Sequence, residues 1–282
     1  MRTGITNGSF AAKYGEKRYE KMKAFGFDAT DFSLADTNTI FYTADEAESD
    51  RLLLEEKRLA DEAGIEIWQV HGPWRWPPHD LTDEDRAERL EKMKRSLRMT
   101  SLLGCKYWVI HPVLPYGTED LPAGLGEKTW EMNRAFQREL LNEAKKYGVT
   151  VCLENMPWVK FSIASPEQTL TFVKEMNDEQ YKMCYDTGHC NVFPDLKIAD
   201  ELKRIKDEVR VLHVHDNKWN GDMHLFPFFG TSDWDAFSAA LREIGFDGVL
   251  SLETAPPVSL PLDAFEPMME GLSRIAAAIA GK

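Results

Sequence analysis

The sequence predicts an α/β protein, a (β/α)8 TIM barrel built as a single domain from residues 1–282. Eight times a short apolar or β-branched run is followed by a longer amphipathic one, the alternation that demands a parallel sheet with helices outside it. No composition break, low-complexity linker or short repeat divides the chain. Its length is ordinary for an α/β barrel folded as one domain. An open doubly wound sheet is the alternative. That fold needs a Gly-rich phosphate turn after an early strand, and Gly4-Ile5-Thr6-Asn7-Gly8 matches the fingerprint poorly.

The elements follow in order. Residues 2–6 read as the first strand, with a helix over 14–24; 27–32 is the second strand, with a helix over 44–63 that Gly64 stops as a C-cap. Strand three, 65–70, closes on His71, and a Trp- and Pro-rich loop leads to a helix over 83–103. Strand four, 106–110, closes on His111 and precedes a helix over 127–147. Strand five, 149–153, closes on Glu154-Asn155; Ser165 then caps the next helix, with Pro166 at its first position. Strand six, 182–185, closes on Asp186 and is followed by a helix over 196–205. Strand seven, 209–212, closes on His213 and enters a long loop before a helix over 233–244. Strand eight, 249–252, closes on Glu253, and 262–280 is the last helix.

Composition narrows the partners. A net charge of −13 and a pI near 5.1 oppose long-range attraction to a polyanion, so nucleic acid is not the expected partner. Cys105, Cys152, Cys184 and Cys190 form no CxxC pair, and three lie in apolar strand-like runs, as in a reduced, cytoplasmic protein. No run is long and apolar enough to cross a bilayer, so no membrane partner is expected.

The chemistry gathers at the strand ends. In a barrel of this kind the carboxyl ends of the strands share one mouth. Strands three to eight end on His71, His111, Glu154, Asp186, His213 and Glu253, each able to bind a metal. Several carboxylates in one pocket repel unless protonated or neutralised, and a bound divalent ion is the simplest neutraliser. The loop after strand seven adds His215, Asp216, Asp222 and His224.

These residues carry a resemblance. Leu153-Glu154-Asn155, Asp186-Thr187-Gly188-His189, His213-Val214-His215-Asp216, Asp222-Met223-His224 with Gly230, and Leu252-Glu253-Thr254 resemble the xylose-isomerase-like TIM-barrel superfamily. That superfamily includes sugar isomerases and epimerases and the endonuclease IV group. The resemblance implies one divalent ion held by Glu154, Asp186, His213 and Glu253, with His189 as the substrate-contacting imidazole. Endonuclease IV uses three zinc ions, and positions matching its further ligands are present as His71, His111, His189, Asp222 and His224, so additional zinc ions are an open alternative.

Three carboxylates and one imidazole suit Mn²⁺, Mg²⁺ or Co²⁺ at least as well as Zn²⁺. The expected activity is therefore a metal-dependent sugar or polyol isomerase or epimerase. An α-proton leaves to give an enediolate on the metal, with Glu154, Glu253 and His189 as catalytic groups. The alternatives are an endonuclease IV-like multi-zinc phosphodiesterase, or a lyase or dehydratase on a sugar derivative. Trp74, Trp76, Trp158 and Trp219 lie in loops after strands, with Phe226, Phe228 and Phe229 nearby, and flat aromatic faces suit the C–H faces of a sugar. Trp74 and Trp158 are the substrate-binding candidates among them. No Gly-rich turn or Arg pair follows strands seven and eight, which favours an unphosphorylated substrate. A homo-oligomer is compatible with the sequence.

Overall fold

A computed structural model describes residues 1–74, 80–117, 124–218 and 221–282. The first half runs β1 Arg2–Thr6, α1 Gly8–Tyr14, α2 Arg18–Ala24, β2 Ala29–Ser33, α3 Ile40–Thr43, α4 Glu46–Ala63, β3 Glu66–His71, α5 Asp83–Leu102 and β4 Tyr107–Ile110. The second half runs α6 Leu125–Tyr147, β5 Thr150–Glu154, α7 Pro166–Met176, β6 Tyr181–Asp186, α8 Thr187–Asn191, α9 Ile198–Ile205, β7 Val209–His213, α10 Trp234–Glu243, β8 Val249–Leu252 and α11 Leu262–Ile279. All strand pairs are parallel, in the order β7-β6-β5-β4-β3-β2-β1-β8. The ring closes just past β7, where the Val214 N–H donates to the Ser251 carbonyl at 2.8 Å and the Glu253 N–H donates to the Val214 carbonyl at 3.1 Å. The fold is a nearly closed (β/α)8 barrel, as the sequence predicts.

Local chemistry explains the boundaries. β5 is buried at every position, the continuous burial expected of a parallel strand covered on both faces. Ser165 and Gln168 form a reciprocal capping box around Pro166, and Gly64 ends α4 in the left-handed conformation. The single helix predicted over 14–24 is instead α1 and α2, separated by a tight turn at Gly15–Lys17. Gly15, at φ 55°, takes the chain out of α1. The short helices α3 and α8 were not expected.

Two cores result from the alternation of side chains along each strand. Trp108, Leu153, Tyr185 and Leu212 point outward into the large core beneath the helices. Val109, Cys152, Cys184 and Val211 form a separate buried cluster inside the barrel, with Trp68 and Tyr107 packed against it. Two residues further along those four strands, facing the same interior, come His111, Glu154, Asp186 and His213. These four apolar residues thus lie beneath the ionisable side chains that end β4 to β7. The four cysteines are free and buried, and burial pushes the Cys105 thiol up to about 12. No described helix is long and apolar enough to cross a membrane.

Candidate metal centre and catalytic pocket

A cavity of about 440 Å³ opens at the carboxyl ends of the strands. Thr6, Asp31, His71, His111, Glu154 and Glu253 line its depth; Trp74, Trp158, His189, Asp222 and His224 line its walls. Ligand atoms of Glu154, Asp186, His213 and Glu253 all lie within 4.8 Å of one another. The sequence-predicted quartet is therefore brought together.

Each member is held by backbone or by a neighbouring strand. Asn155, next to Glu154, clamps the end of β6: its side-chain oxygen accepts from the Asp186 N–H at 2.8 Å, and its amide donates to the Asp186 carbonyl at 2.9 Å. Asp186 caps α8, accepting from the His189 N–H at 2.6 Å, and its other oxygen lies 3.1 Å from His215 Nε2. α8 is needed to place His189, whose Nδ1 donates to the Asn155 carbonyl at 2.8 Å and whose Nε2 faces Asp222 at 3.3 Å. Gly188 makes this packing feasible, because a Cβ there would lie 2.0 Å from the His215 ring.

Glu154 is the centre of the ring. Its Oε1 accepts from His213 Nδ1 at 2.9 Å and its Oε2 from His111 Nε2 at 3.0 Å. Burial opposes its charge, yet the His213 and His111 imidazoles hold its carboxyl well below the usual range. Glu253 differs. Its Oε2 stands 3.2 Å from His213 Nδ1 but accepts no hydrogen bond, and burial together with Glu154 and Asp186 raises its pKa. His213 donates through both nitrogens, to Glu154 and to Asp31 at 2.8 Å. Burial disfavours this imidazolium, but Cys184, Glu154, Glu253 and Asp31 raise its pKa well above the usual histidine value.

The donor set fits a divalent cation on three counts. Three carboxylates and one imidazole form a hard, oxygen-rich set. A buried carboxylate oxygen, Glu253 Oε2, lacks a donor. Finally, the four ligand atoms lie close enough together, all within 4.8 Å of one another, to be gathered by one ion.

Two flanking sets adjoin the quartet. His71, His111 and Glu154 form one: His71 Nε2 lies 3.2 Å from His111 Nε2, and burial lowers the His111 pKa to about 4. His189, His215, Asp222 and His224 form the other. Here His189 and His224 each place Nε2 3.3 Å from Asp222 Oδ2. Burial opposes charge on both imidazoles, but Asp186 and Asp222 raise His189 to about 10, and Asp222 and Glu253 raise His224 to about 10.

The loop that carries Asp222 and His224 hangs from Asp216. This carboxylate accepts from the backbone N–H groups of Asn217, Gly230, Thr231 and Ser232 at 2.9–3.2 Å and from Trp234 Nε1 at 2.8 Å. Gly230 is pressed against it, since a Cβ there would lie 2.3 Å from Asp216 Oδ1. His224 sits at φ 46°, a left-handed conformation that side chains rarely adopt, and donates from Nδ1 to the Glu253 carbonyl at 2.8 Å.

Of the described aromatic residues singled out in the sequence, two line the cavity. Trp74 and Trp158 form one wall, with ring centroids 5.8 Å apart, and Trp74 packs 4.4 Å from the His111 ring. Phe226, Phe228 and Phe229 do not line the cavity; Phe228 and Phe229 are 54% and 63% exposed elsewhere. Trp76 and Trp219 lie outside the described residues. Among the described lining residues there is no Lys or Arg. Asp31 was missed by sequence reasoning. It lies two residues past Ala29 on an inward face, but the strand was expected to end on Phe32, one residue later.

The profile of the xylose isomerase-like TIM barrel family matches residues 19–276. The chain is 25% identical over 249 residues to the D-psicose 3-epimerase of Enterocloster bolteae, covering 84% of this chain and 76% of that protein. It is 24% identical over 197 residues to the inosose isomerase of Bacillus licheniformis, covering 65% and 66%. The solved structure of IOLI protein with a bound zinc atom superposes with a TM-score of 0.75 at 18% identity, covering 99% of this chain and 96% of that one.

Proposed function

We propose that this chain, which belongs to the xylose isomerase-like TIM barrel family, is a divalent-metal-dependent sugar isomerase or epimerase that moves a proton on a carbon beside a carbonyl. The observation that carries the reading is the convergence of Glu154, Asp186, His213 and Glu253, the two glutamates opening onto a cavity that Trp74 and Trp158 also line. Kinship with a D-psicose 3-epimerase and an inosose isomerase supports the same class of substrate.

Glu154, Asp186, His213 and Glu253 would hold the ion. When bound, such an ion polarises a carbonyl and its neighbouring hydroxyl, lowering the cost of the negative charge left when the α-proton departs. The proton itself is assigned to the two glutamates. Both line the cavity, so that one would take the proton and the other return it. His189, fixed through Nδ1 and lining the cavity, serves as hydrogen-bond donor to a substrate oxygen. Trp74 and Trp158 present flat faces to the C–H side of the ring or chain. The lack of Lys and Arg in the described lining favours an uncharged sugar over a phosphorylated one.

Metal-loaded protein incubated in D₂O with ketoses, aldoses and inososes should incorporate deuterium at the α-carbon of at least one, and the Asp186→Asn variant should not. No incorporation across the panel would point away from proton transfer.

A second reading rests on the two flanking sets, which would hold further ions, as in a multi-zinc phosphodiesterase. The acidic balance and the absence of Lys and Arg from the described lining weigh against a nucleic-acid substrate. Cleavage of an abasic duplex at low salt, with more than one zinc per chain, would reverse that order.

A further inference from the structure

Beneath the quartet lies a carboxylate that neither reading uses. Asp31, from β2, is 3% exposed, and its Oδ2 accepts from His213 Nε2 at 2.8 Å and from the Gln69 amide at 3.0 Å. Gln69 is fully buried and is tied in turn to β7, its amide lying 3.3 Å from the Leu212 carbonyl. A register shift between Thr30 and Asp31 sets Asp31 directly opposite Gln69 on β3. A chain of hydrogen bonds thus runs from Gln69 through Asp31 to the far ring nitrogen of His213.

We propose that Asp31 is the positioning residue of His213. Asp31 Oδ2 faces two N–H groups, those of Gln69 and His213 Nε2, so Nε2 keeps its proton and Nδ1, which faces Glu154 and Glu253, is the nitrogen that gives up its proton when it takes a cation. It also fixes the ring plane and places a negative charge behind the ligand, raising the basicity of Nδ1 toward a cation. Gln69 holds the carboxylate in register, so β2 and β3, which contribute no member of the quartet, determine how β7 presents its ligand. The inference rests on the reading of His213 as a metal ligand.

The test uses the full chain and its Asp31→Asn variant, which keeps the shape but removes the fixed charge and lets an NH₂ face Nε2. Three quantities are measured: the Co²⁺ and Zn²⁺ dissociation constants by competition with a chromophoric chelator, the Co²⁺ absorption spectrum, and the unfolding temperature of metal-stripped protein. Loss of a carboxylate behind a ligand histidine typically weakens metal binding about 10- to 100-fold. That loss is expected here, with a changed Co²⁺ spectrum, in addition to the fall in metal-free unfolding temperature that losing a buried hydrogen bond to His213 brings. Gln69→Leu should act in the same direction by a smaller factor, and it carries the test if Asp31→Asn does not fold. A lower metal-free unfolding temperature with unchanged dissociation constant and spectrum would make Asp31 a packing residue and overturn the inference. Wild-type protein that binds neither ion would instead overturn the reading beneath it.

Discussion

Replacing each central glutamate by glutamine should separate holding the metal from moving the proton. Glu154 has both oxygens engaged, one by His213 and one by His111, and is 1% exposed. An amide oxygen can serve only one of those imidazoles, so the NH₂ group must face the other. Losing one charge-assisted hydrogen bond in a buried site costs about 1.5–3 kcal/mol, or about 10- to 150-fold in an equilibrium constant. Glu154→Gln should therefore destabilise the metal-free protein by that amount and, with a ligand's charge gone, should also bind metal more weakly and turn over more slowly. The Glu253 side chain is 23% exposed and its Oε2 accepts no hydrogen bond, so its amide oxygen can still face the ion while its proton chemistry is lost. Glu253→Gln should keep near-full metal occupancy yet lose at least about a hundredfold in turnover, the lower end of a general acid–base contribution. The assay is elemental analysis of both variants beside α-deuterium incorporation with the best substrate of the panel. Because the two groups act on one proton path, the double variant should fall short of the product of the single losses. Full occupancy with near-native turnover in Glu253→Gln would refute its role as a proton carrier and leave His189 as the next candidate.

Other perturbations probe the supports. Gly188→Ala should push the His215 ring away from Asp186 and destabilise the fold by about 1–3 kcal/mol or more, as overpacking does; thermal unfolding reads the loss, and an unchanged melting temperature would contradict the packing. In metal-stripped protein, His189 and His224 are raised to about 10, above the roughly 6.5 of an unfolded histidine. Their contribution to stability is thus complete below about 6.5 and lost as the pH rises through 10. The melting temperature should fall between pH 7 and 10, and Asp222→Asn should flatten that slope; an equal slope in both proteins would rule out the pairing. Asp216→Ala should leave the backbone N–H groups of Asn217, Gly230 and Ser232 and an indole N–H without their acceptor, Thr231 keeping the Asn217 carbonyl, so amide exchange at Gly230 and Ser232 should speed up while the strands stay protected.

Much of this was legible in the sequence because parallel strands buried on both faces stand out as short apolar runs. Their ends, where burial gives way to chemistry, fall within a residue or two of where the ionisable side chains begin. That is why His71, His111, Glu154, Asp186, His213 and Glu253 were found together. What escaped depends on three-dimensional register. Asp31 sits within its strand, and only its contact with His213 across the barrel reveals its place. α8 has no helical periodicity in five residues and exists because Asp186 caps it where β6 ends. Phe228 and Phe229 were placed near the mouth by loop position alone, and the loop turns them to solvent.

The Asp216 anchor also bears on how this barrel can diversify. Two of the cavity's polar walls, Asp222 and His224, ride on a segment fastened at both ends to a single carboxylate. Such a segment should act as an interchangeable cassette: positions outside the pinned stretch Asp222–Leu225 can vary in sequence while the fastening returns the chain to α10 at the same point. Grafting it from one relative to another should succeed when Asp216, Gly230 and Trp234 travel together, and should cost foldability when any one is left behind.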